Sequence, residues 1–362
     1  MKPRLTTAAA AVLAAVGLAA VAAGCGGSSG GGTSSTSPGT AAATTTSKPA
    51  ASSVKIGLVT DIGGLNDRSF NHLAYVGLQR AEKQLGVKGR VLTSSSNSDY
   101  VPNLSSLARQ HYNLVIGVGF LMADAVDTVA TKFPNTHFAI IDVDQTTLKH
   151  KPKNVEGLLF HEQESGYLAG YLAGLVEKQN VGFAKPGKQV IGSVGGQSIP
   201  PVNRYIAGFQ AGAKKADPGI TVLNGYSQDF VAQDKCKNIA LNQISQGSDV
   251  VFQVAGQCGL GALDAAQEKG VWGIGVDADQ SYLGPHILTS AIKKVDVAVF
   301  DTIKQTQEGS FKGGQDAYFD LTNNGVGIGK VSSKVPKSII AKVNDIAAQI
   351  KAGKITPPAT IG

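Results

Sequence analysis

The sequence is poor in charged residues, aromatic residues and sulfur. Of its 362 residues, 16% are Asp, Glu, Lys or Arg and 6% are Phe, Trp or Tyr, and there are three Cys, two Met and one Trp. So little charge beside 42% hydrophobic residues excludes an intrinsically disordered chain and a nucleic-acid-binding arm. Beyond the first few dozen residues no apolar run approaches the roughly 20 residues of a bilayer span, so no transmembrane helix is predicted there.

The signatures of common enzyme classes are incomplete. The run His161-Glu162-Gln163-Glu164-Ser165 begins like a zinc-protease helix but has Ser165 where the second histidine is required. Residues 117–122 lack the third glycine of a dinucleotide loop, no Gly-Lys-Ser/Thr phosphate loop occurs, and residues 196–200 lack the last glycine of a nucleophile elbow. The six histidines show no metal-ligand spacing. We therefore expect no catalytic residues, no metal and no cofactor.

The first 53 residues contain no acidic residue. Lys2 and Arg4 precede an apolar run over residues 8–23, and Ala22-Ala23-Gly24 leads directly to Cys25. This pattern predicts a secretory signal peptide over residues 1–24. Small residues before a cysteine resemble the lipobox of bacterial lipoproteins, which implies that Cys25 is acylated, with a palmitate-type anchor, and becomes the mature N-terminus. The alternative is an ordinary secretory cleavage site followed by an unrelated cysteine.

Residues 25–53 combine the expected acylated cysteine with a Gly, Ser, Thr, Ala and Pro mixture that is typical of a flexible tether. A random coil of this length spans about 30 Å. The formal net charge of +7 falls to +4 for residues 54–362 once Lys2, Arg4 and Lys48 are excluded. Such a mild excess does not indicate nucleic acid as a partner.

Residues 54–362 are too many for one hydrophobic core, so two lobes are expected. Strand patterns alternate with helical patterns along the whole segment. Candidate strands are 54–59, 90–93, 114–118, 138–143, 157–160, 189–194, 221–226, 250–254, 271–276 and 287–291. Several are uniformly apolar, which is typical of parallel strands covered on both faces. The predicted fold class is α/β, with two doubly wound parallel-sheet lobes.

In open parallel sheets, ligands bind beyond the carboxyl ends of the strands. The loops at these positions are rich in Gly, Asp, Asn and Phe. Carboxylates there can bind hydroxyl groups, and Phe70 and Phe230 can sandwich a flat ring. The structural alternative makes Phe70 the first core residue of its helix, Phe230 a lid over a sheet edge, and Asp61 or Asp67 a helix N-cap.

Five segments of the sequence resemble the basic membrane lipoprotein family, the substrate-binding lipoproteins of ABC transporters typified by the purine nucleoside receptor of spirochaetes. The similarity runs in order over residues 61–71, 166–174, 208–212, 275–283 and 289–296. It implies a type I periplasmic-binding-protein fold with the ligand between two lobes joined by a hinge. We expect lobe 1 to comprise residues 54–160 completed by roughly 285–312, and lobe 2 residues 161–284 completed by roughly 313–362.

The resemblance also implies a ligand, partners and a location. The ligand is a nucleoside, expected to be a purine nucleoside, stacked between Phe70 and Phe230. The polar positions of the pocket are Asp61, Asn66, Asp67, Asp142, Gly256, Asp277 and Lys293. A carboxylate such as Asp277 would take both ribose hydroxyls, and ligand binding would close the lobes. The implied partners are an ABC permease and its ATPase, and the implied protein is a monomer anchored by lipid on the extracytoplasmic face of the cell membrane.

Two features depart from the family pattern. Val231-Ala232-Gln233 follows Phe230 where relatives usually carry an Asp and a Pro, which affects base specificity, and residues 322–362 carry no recognisable motif. Two rival functions remain open. A nucleoside hydrolase would also need ribose-binding carboxylates, but Asp61 and Asp67 do not reproduce its clustered calcium-binding motif. A sensor or regulatory lipoprotein of the same fold would bind another small molecule, or none, without transport.

Cys236 and Cys258 are predicted to form a disulfide. With Cys25 acylated they are the remaining pair, and an exported protein meets an oxidising environment. The chain-entropy model assigns such a bridge about 3 kcal/mol. The alternative is two buried free thiols.

Overall fold

The computed structural model describes residues 52–187 and 189–362. The predicted signal peptide, Cys25 and all but the last two residues of the predicted tether lie outside the described residues. The described residues belong to a single compact unit. The elements in chain order are β1 Lys55–Val59, α1 Phe70–Leu85, β2 Lys88–Leu92, α2 Tyr100–Arg109, β3 Leu114–Gly117, α3 Ala123–Lys132, β4 His137–Ile141, β5 Val155–Phe160, α4 Glu162–Lys178, β6 Val190–Gly195, α5 Pro200–Ala216, β7 Thr221–Tyr226, α6 Gln233–Ser245, β8 Val250–Val254, α7 Gly256–Lys269, β9 Trp272–Asp277, β10 Ile287–Lys293, α8 Val295–Gln307, β11 Asp316–Phe319, β12 Val326–Ile328 and α9 Lys337–Lys351.

These strands form two six-stranded sheets. The order is β11-β5-β4-β3-β1-β2 in the first lobe and β12-β10-β9-β8-β6-β7 in the second. Every pairing is parallel except that of β12, which runs antiparallel to β10. The central strands β3 and β8 are buried along their whole length, as expected for sheets covered by helices on both faces. The predicted fold class is confirmed.

The chain crosses between the lobes three times, after β5, after β10 and after β11. The second and third crossings correct the expected lobe limits. Residues 285–312 were expected to complete the first lobe, but β10 lies in the second sheet, so the second crossing comes only after it. Conversely, β11 joins the first sheet beside β5, although residues 313–362 were expected to complete the second. The helix α8 does pack on the first lobe, where the side chain of Gln307 donates to the carbonyl of Leu85 at 2.9 Å.

The motifs of residues 166–174 and 208–212 form a close helix contact in the second lobe. A Cβ added at Gly166, Gly170 or Gly212 would overlap the backbone of the opposite helix, so α4 and α5 approach more closely than larger residues allow. The segment without a recognisable motif completes this lobe, because α9 buries Ile339, Val343, Ile346 and Ile350. Among the described helices, none is both long and apolar enough to cross a membrane.

Candidate ligand-binding site

A pocket lies between the lobes, at the carboxyl ends of strands from both sheets, where the rule for open parallel sheets places ligands. It encloses about 630 Å³ of space not filled by atoms, part of it open to solvent. Eight of the nine residues expected to contact the ligand line it: Asp61, Asp67, Phe70, Asp142, Phe230, Gly256, Asp277 and Lys293. The ninth, Asn66, lies outside this pocket and lines a neighbouring cavity with Arg68 and His72.

The two expected stacking aromatics come from opposite lobes. Phe70 opens α1 in the first lobe, and Phe230 lies in the loop between β7 and α6 in the second. Glycines make room for both rings. A Cβ added at Gly196 would overlap the ring of Phe230, and one at Gly119 would stand 3.3 Å from Cε1 of Phe70. Phe70 and Phe230 therefore bring an aromatic ring from each lobe to the pocket, which Phe120 and Tyr205 also line.

Asp61 is a buried carboxylate at the end of β1. Its Oδ1 accepts hydrogen bonds from the hydroxyl of Tyr100 and from the backbone N–H of Ile62. Its own N–H donates to Oδ1 of Asn71 at 2.8 Å. Among the described residues, Oδ2 has no hydrogen-bond donor. Asp61 therefore offers a free acceptor to the pocket, and its orientation is fixed by the protein.

The carboxylate of Asp67 uses its hydrogen-bonding capacity on the start of α1. Its two carboxylate oxygens accept from the N–H groups of Ser69, Asn71 and His72 at 2.7 to 3.1 Å and from the side-chain amide of Asn71. These bonds satisfy N–H groups in the first turn of the helix that have no intrahelical partner. The capping alternative considered for Asp67 therefore describes its contacts better than ligand binding does, although it still lines the pocket.

Lys293 joins the two lobes at the hinge. It is only 2% exposed, and its Nζ donates to Oδ1 of Asp142 in the first lobe at 2.6 Å and to Oε1 of Glu162 at 2.9 Å. The ring centroids of Phe70 and Phe160 lie 5.1 and 4.8 Å from the same nitrogen, within cation–π range. Burial opposes the charge of Lys293, but the three carboxylates of Asp142, Glu162 and Asp277 outweigh it and raise the pKa.

Asp277 makes a second connection between the lobes. Its Oδ2 accepts from the hydroxyl of Ser69 in the first lobe at 2.7 Å, and its Oδ1 accepts from the hydroxyl of Tyr205 at 3.0 Å. Asp277 and Asp142 both adopt positive φ, at +61° and +70°. This left-handed conformation is uncommon for residues other than glycine, and it occurs here at the carboxyl ends of β4 and β9, where both aspartates line the pocket.

Asp61, Asp142 and Asp277, hereafter the three cleft aspartates, share an altered acidity. Burial raises the pKa of each to about 6, and in Asp142 and Asp277 it does so against the opposing charge of Lys293. They are therefore mainly ionised at pH 7.5 and act as hydrogen-bond acceptors. With Asp67 they place four carboxylates on the pocket lining, against the single cation of Lys293.

The second-lobe side of the pocket is braced by the cysteines. Gly256 begins α7 with φ of +55°, and the N–H of Cys258 in the same turn donates to the carbonyl of Phe230 at 3.0 Å. Cys258 is joined by a disulfide to Cys236 in the first turns of α6, with the Cα atoms 5.6 Å apart. The bridge thus links the two helix starts that flank the Phe230 loop.

Sequence reasoning did not identify Ser69, Glu162 or Tyr205 as part of this network. Ser69 lies within the segment 61–71, but a serine there gives no sign of a contact with the opposite lobe. Tyr205 lies in the amphipathic helix α5, where a buried aromatic residue is expected to belong to the core. Glu162 had a detectable signal, because it is an acidic residue at the start of a largely apolar helix; it is completely buried. Within the described ranges, no group of His, Cys, Asp and Glu has an arrangement that could hold a metal ion.

Two parallel α/β lobes that enclose a pocket at their strand ends define the class of two-lobed, periplasmic-binding-protein-like solute receptors. A crystal structure of an ABC transporter solute-binding protein from Aeropyrum pernix superposes with a TM-score of 0.77 at 26% identity, covering 84% of this chain and 94% of the other.

The chain belongs to the Bmp family, whose model, described as ABC transporter substrate-binding protein PnrA-like, matches residues 54–360. It is 36% identical to the ABC transporter nucleoside-binding protein BmpA of Lactococcus lactis, over 85% of this chain and 90% of that protein. It is 38% identical to an uncharacterized lipoprotein of Pyrococcus horikoshii, over 76% of this chain and 68% of that one. The family consists of substrate-binding components of ABC transporters, so a small-molecule ligand and a permease are its expected partners.

Proposed function

We propose that this protein is the extracytoplasmic binding component of an ABC importer and that its ligand is a nucleoside, held between Phe70 and Phe230. The observation that carries the proposal is the composition of the pocket, in which an aromatic ring from each lobe accompanies buried carboxylates. The nucleoside-binding name of the Lactococcus lactis relative supports the same ligand class.

A nucleoside has a flat base and a ribose with vicinal hydroxyls, and the pocket offers a partner for each. Stacking of a base on an aromatic side chain is worth about 1–3 kcal/mol. Asp277 is the proposed acceptor for the ribose hydroxyls. Each carboxylate oxygen has two lone pairs, so the bonds from Ser69 and Tyr205 leave one acceptor position on each oxygen. Those two donors also fix the orientation of the carboxylate.

The free Oδ2 atom of Asp61 is the proposed acceptor for a donor group on the base or on the 5′ end of the sugar. The lining of four carboxylates and one lysine is net negative, so it disfavours an anionic ligand and accepts an uncharged nucleoside. A 5′-phosphate would bring further negative charge beside these carboxylates, which repel it at short range. We therefore expect the site to select nucleosides over their nucleotides.

Closure follows from the division of the site between the lobes. A base between Phe70 and Phe230 touches both lobes at once, so the ligand stabilises the closed arrangement through contacts that an open cleft lacks. The Lys293–Asp142 and Asp277–Ser69 hydrogen bonds also cross between the lobes and stabilise the same closed arrangement. The closed form is the one that a permease would recognise.

We further propose that an acyl chain on Cys25 anchors the protein to the outer face of the cell membrane. The lipoprotein name of the Pyrococcus horikoshii relative supports this location. Cys25 precedes the first described residue by 27 positions, so an anchored domain would remain close to the lipid surface.

The test is a panel of purine and pyrimidine nucleosides, their free bases and their 5′-monophosphates, added to the purified protein. Thermal unfolding measures binding, and chromatography of the same mixtures detects any released base. We expect at least one nucleoside to raise the melting temperature, its 5′-monophosphate to bind at least 100-fold more weakly, and no base to be released.

Release of base would instead identify a nucleoside hydrolase. A response confined to sugars or other small molecules would retain the binding role and overturn the ligand class. No response to any compound, from protein first unfolded and refolded to remove bound ligand, would favour a regulatory protein of the same fold.

A further inference from the structure

Positive charge is concentrated in one C-terminal segment. Residues 330–354 contain six lysines and a single acidic residue, Asp345, which gives a net charge of +5. Residues 54–362 together carry +4, so the rest of the folded part is close to neutral, at −1. We call the six residues the basic stripe: Lys330, Lys334, Lys337, Lys342, Lys351 and Lys354.

The fold leaves the basic stripe exposed. The helix α9 seats one face in the second lobe through its four buried isoleucine and valine residues, and Lys337, Lys342 and Lys351 are exposed. Lys330, Lys334 and Lys354 are exposed as well. Within residues 52–187 and 189–362, no salt bridge involves any of the six, in contrast to exposed lysines such as Lys235 and Lys304. Their charges are therefore available to an external partner.

The basic stripe follows one side of the second lobe. Lys334 lies 5.4 Å from the ring centroid of Phe183, which packs against Trp272 at the start of β9, the end of the sheet away from the pocket. Lys351 reaches Asn324, in the crossing between β11 and β12. A helix of 15 residues spans about 22 Å, so the lysines of α9 alone extend the stripe over roughly that distance.

We propose that the basic stripe binds an anionic lipid surface. Exposed lysines attract anionic headgroups with an energy that corresponds to about fivefold in affinity for each residue close to the membrane. The proposed anchor at Cys25 supplies the second condition, because the predicted tether of residues 26–53 would hold the domain near lipid. A weak electrostatic contact is sufficient to hold the basic stripe against the lipid when an anchor already keeps the domain close to the membrane.

This contact would orient the cleft. The stripe flanks β12, which is the edge strand at one side of the second sheet, and β7 at the opposite edge leads into the Phe230 loop. A domain resting on the basic stripe would therefore hold the Phe230 side of its cleft away from the membrane. That arrangement leaves the pocket accessible to incoming ligand, and delivery to a permease would require release from the lipid.

The test uses residues 26–362, which keep the tether and the whole compact unit but lack the acyl anchor. Cosedimentation is measured at low salt with vesicles of phosphatidylcholine alone and of phosphatidylcholine with about one-third phosphatidylglycerol. One variant carries Lys→Gln at all six stripe positions. A matched control carries Lys→Gln at six exposed lysines of the first lobe that make no salt bridge: Lys83, Lys88, Lys132, Lys149, Lys151 and Lys153. Melting temperatures verify that both variants are folded.

We expect binding to the anionic vesicles only, a decrease of at least tenfold in the stripe variant, a change of less than threefold in the control variant, and loss of binding as salt is raised. Absence of binding by the unaltered chain would overturn the proposal. Equal losses in the two variants would also overturn it, because they would reflect net charge alone. Binding to soluble polyglutamate but not to vesicles would replace the lipid with an acidic protein partner.

Discussion

The buried carboxyl group of Glu177 allows a quantitative prediction of stability. Glu177 lies in α4, is 1% exposed, and neither of its carboxylate oxygens has a hydrogen-bond partner among the described residues. Burial, reinforced by the charge of Asp249, raises its pKa from 4.5 to about 8. At pH 7.5 the unfolded chain ionises this group and the folded chain holds it mostly neutral. That difference costs the folded state about 4 kcal/mol, at roughly 1.4 kcal/mol per pH unit.

Glu177→Gln removes the ionisation and keeps the shape of the side chain. Because the amide remains buried without a partner, we expect the variant to be more stable by about 2–4 kcal/mol at pH 7.5. The sign follows from the raised pKa. The contribution of Glu177 to stability is fully present below pH 4.5 and is lost as the pH rises to about 8, so the gain should shrink to about 1 kcal/mol or less at pH 5.

Urea unfolding at pH 5.0, 6.5 and 7.5 provides the measurement. The control is Glu308→Gln, which removes an exposed carboxylate 3.8 Å from Lys304 and should change stability by less than about 1 kcal/mol at every pH. Unchanged stability of the Glu177→Gln variant at pH 7.5, or a gain that is independent of pH, would show that burial does not hold Glu177 neutral in the folded chain.

Three further predictions concern the pocket. Phe230→Ala should weaken nucleoside binding about 10- to 100-fold in a calorimetric titration, and Phe230→Leu should weaken it less. The melting temperature of the ligand-free Phe230→Ala protein should stay within a few degrees of that of the unaltered protein. Replacing Cys236 and Cys258 by serine should lower the stability by about 3 kcal/mol in urea unfolding and weaken nucleoside binding, because the Phe230 loop loses its brace; mass spectrometry that found both cysteines of the native protein alkylatable would contradict the bridge. Nucleoside affinity should fall as the pH is lowered through about 6, because protonation of the three cleft aspartates removes hydrogen-bond acceptors, whereas an affinity that is constant between pH 7.5 and 5 would show that these groups do not bind the ligand.

The alternation of apolar strands and helices was sufficient to predict the two lobes, but the short strands at the hinge were not predictable. β11 and β12 contain four and three residues, and such lengths carry no periodicity that separates a strand from a loop. Their sheet assignment depends on chain crossings, which no local pattern records. The sheet that β10 joins was equally unpredictable, because its apolar sequence indicates a strand but not which lobe the strand belongs to.

The pocket was predictable in part because its residues follow strands, and the rule for parallel sheets directs attention there. The rule does not say which way each side chain of a loop points. Gly63 and Gly64, both at positive φ, turn the chain so that Asn66 leaves the pocket while Asp67 folds back onto the start of α1. Tyr205 reaches Asp277 from a helix 72 residues away in sequence, so only the three-dimensional packing reveals this contact. Glu162 is noticeable as an acidic residue at the start of a largely apolar helix, but the sequence does not show that its partner is Lys293.

The most direct test of the proposed function is a calorimetric titration of purine nucleosides into refolded, ligand-free protein, performed in parallel on Phe70→Ala and Phe230→Ala. We expect one nucleoside to bind per chain, to be intact afterwards, and to bind with lower affinity in both variants. Binding unaffected by either substitution, or no heat with any nucleoside, would contradict a nucleoside site between these two rings.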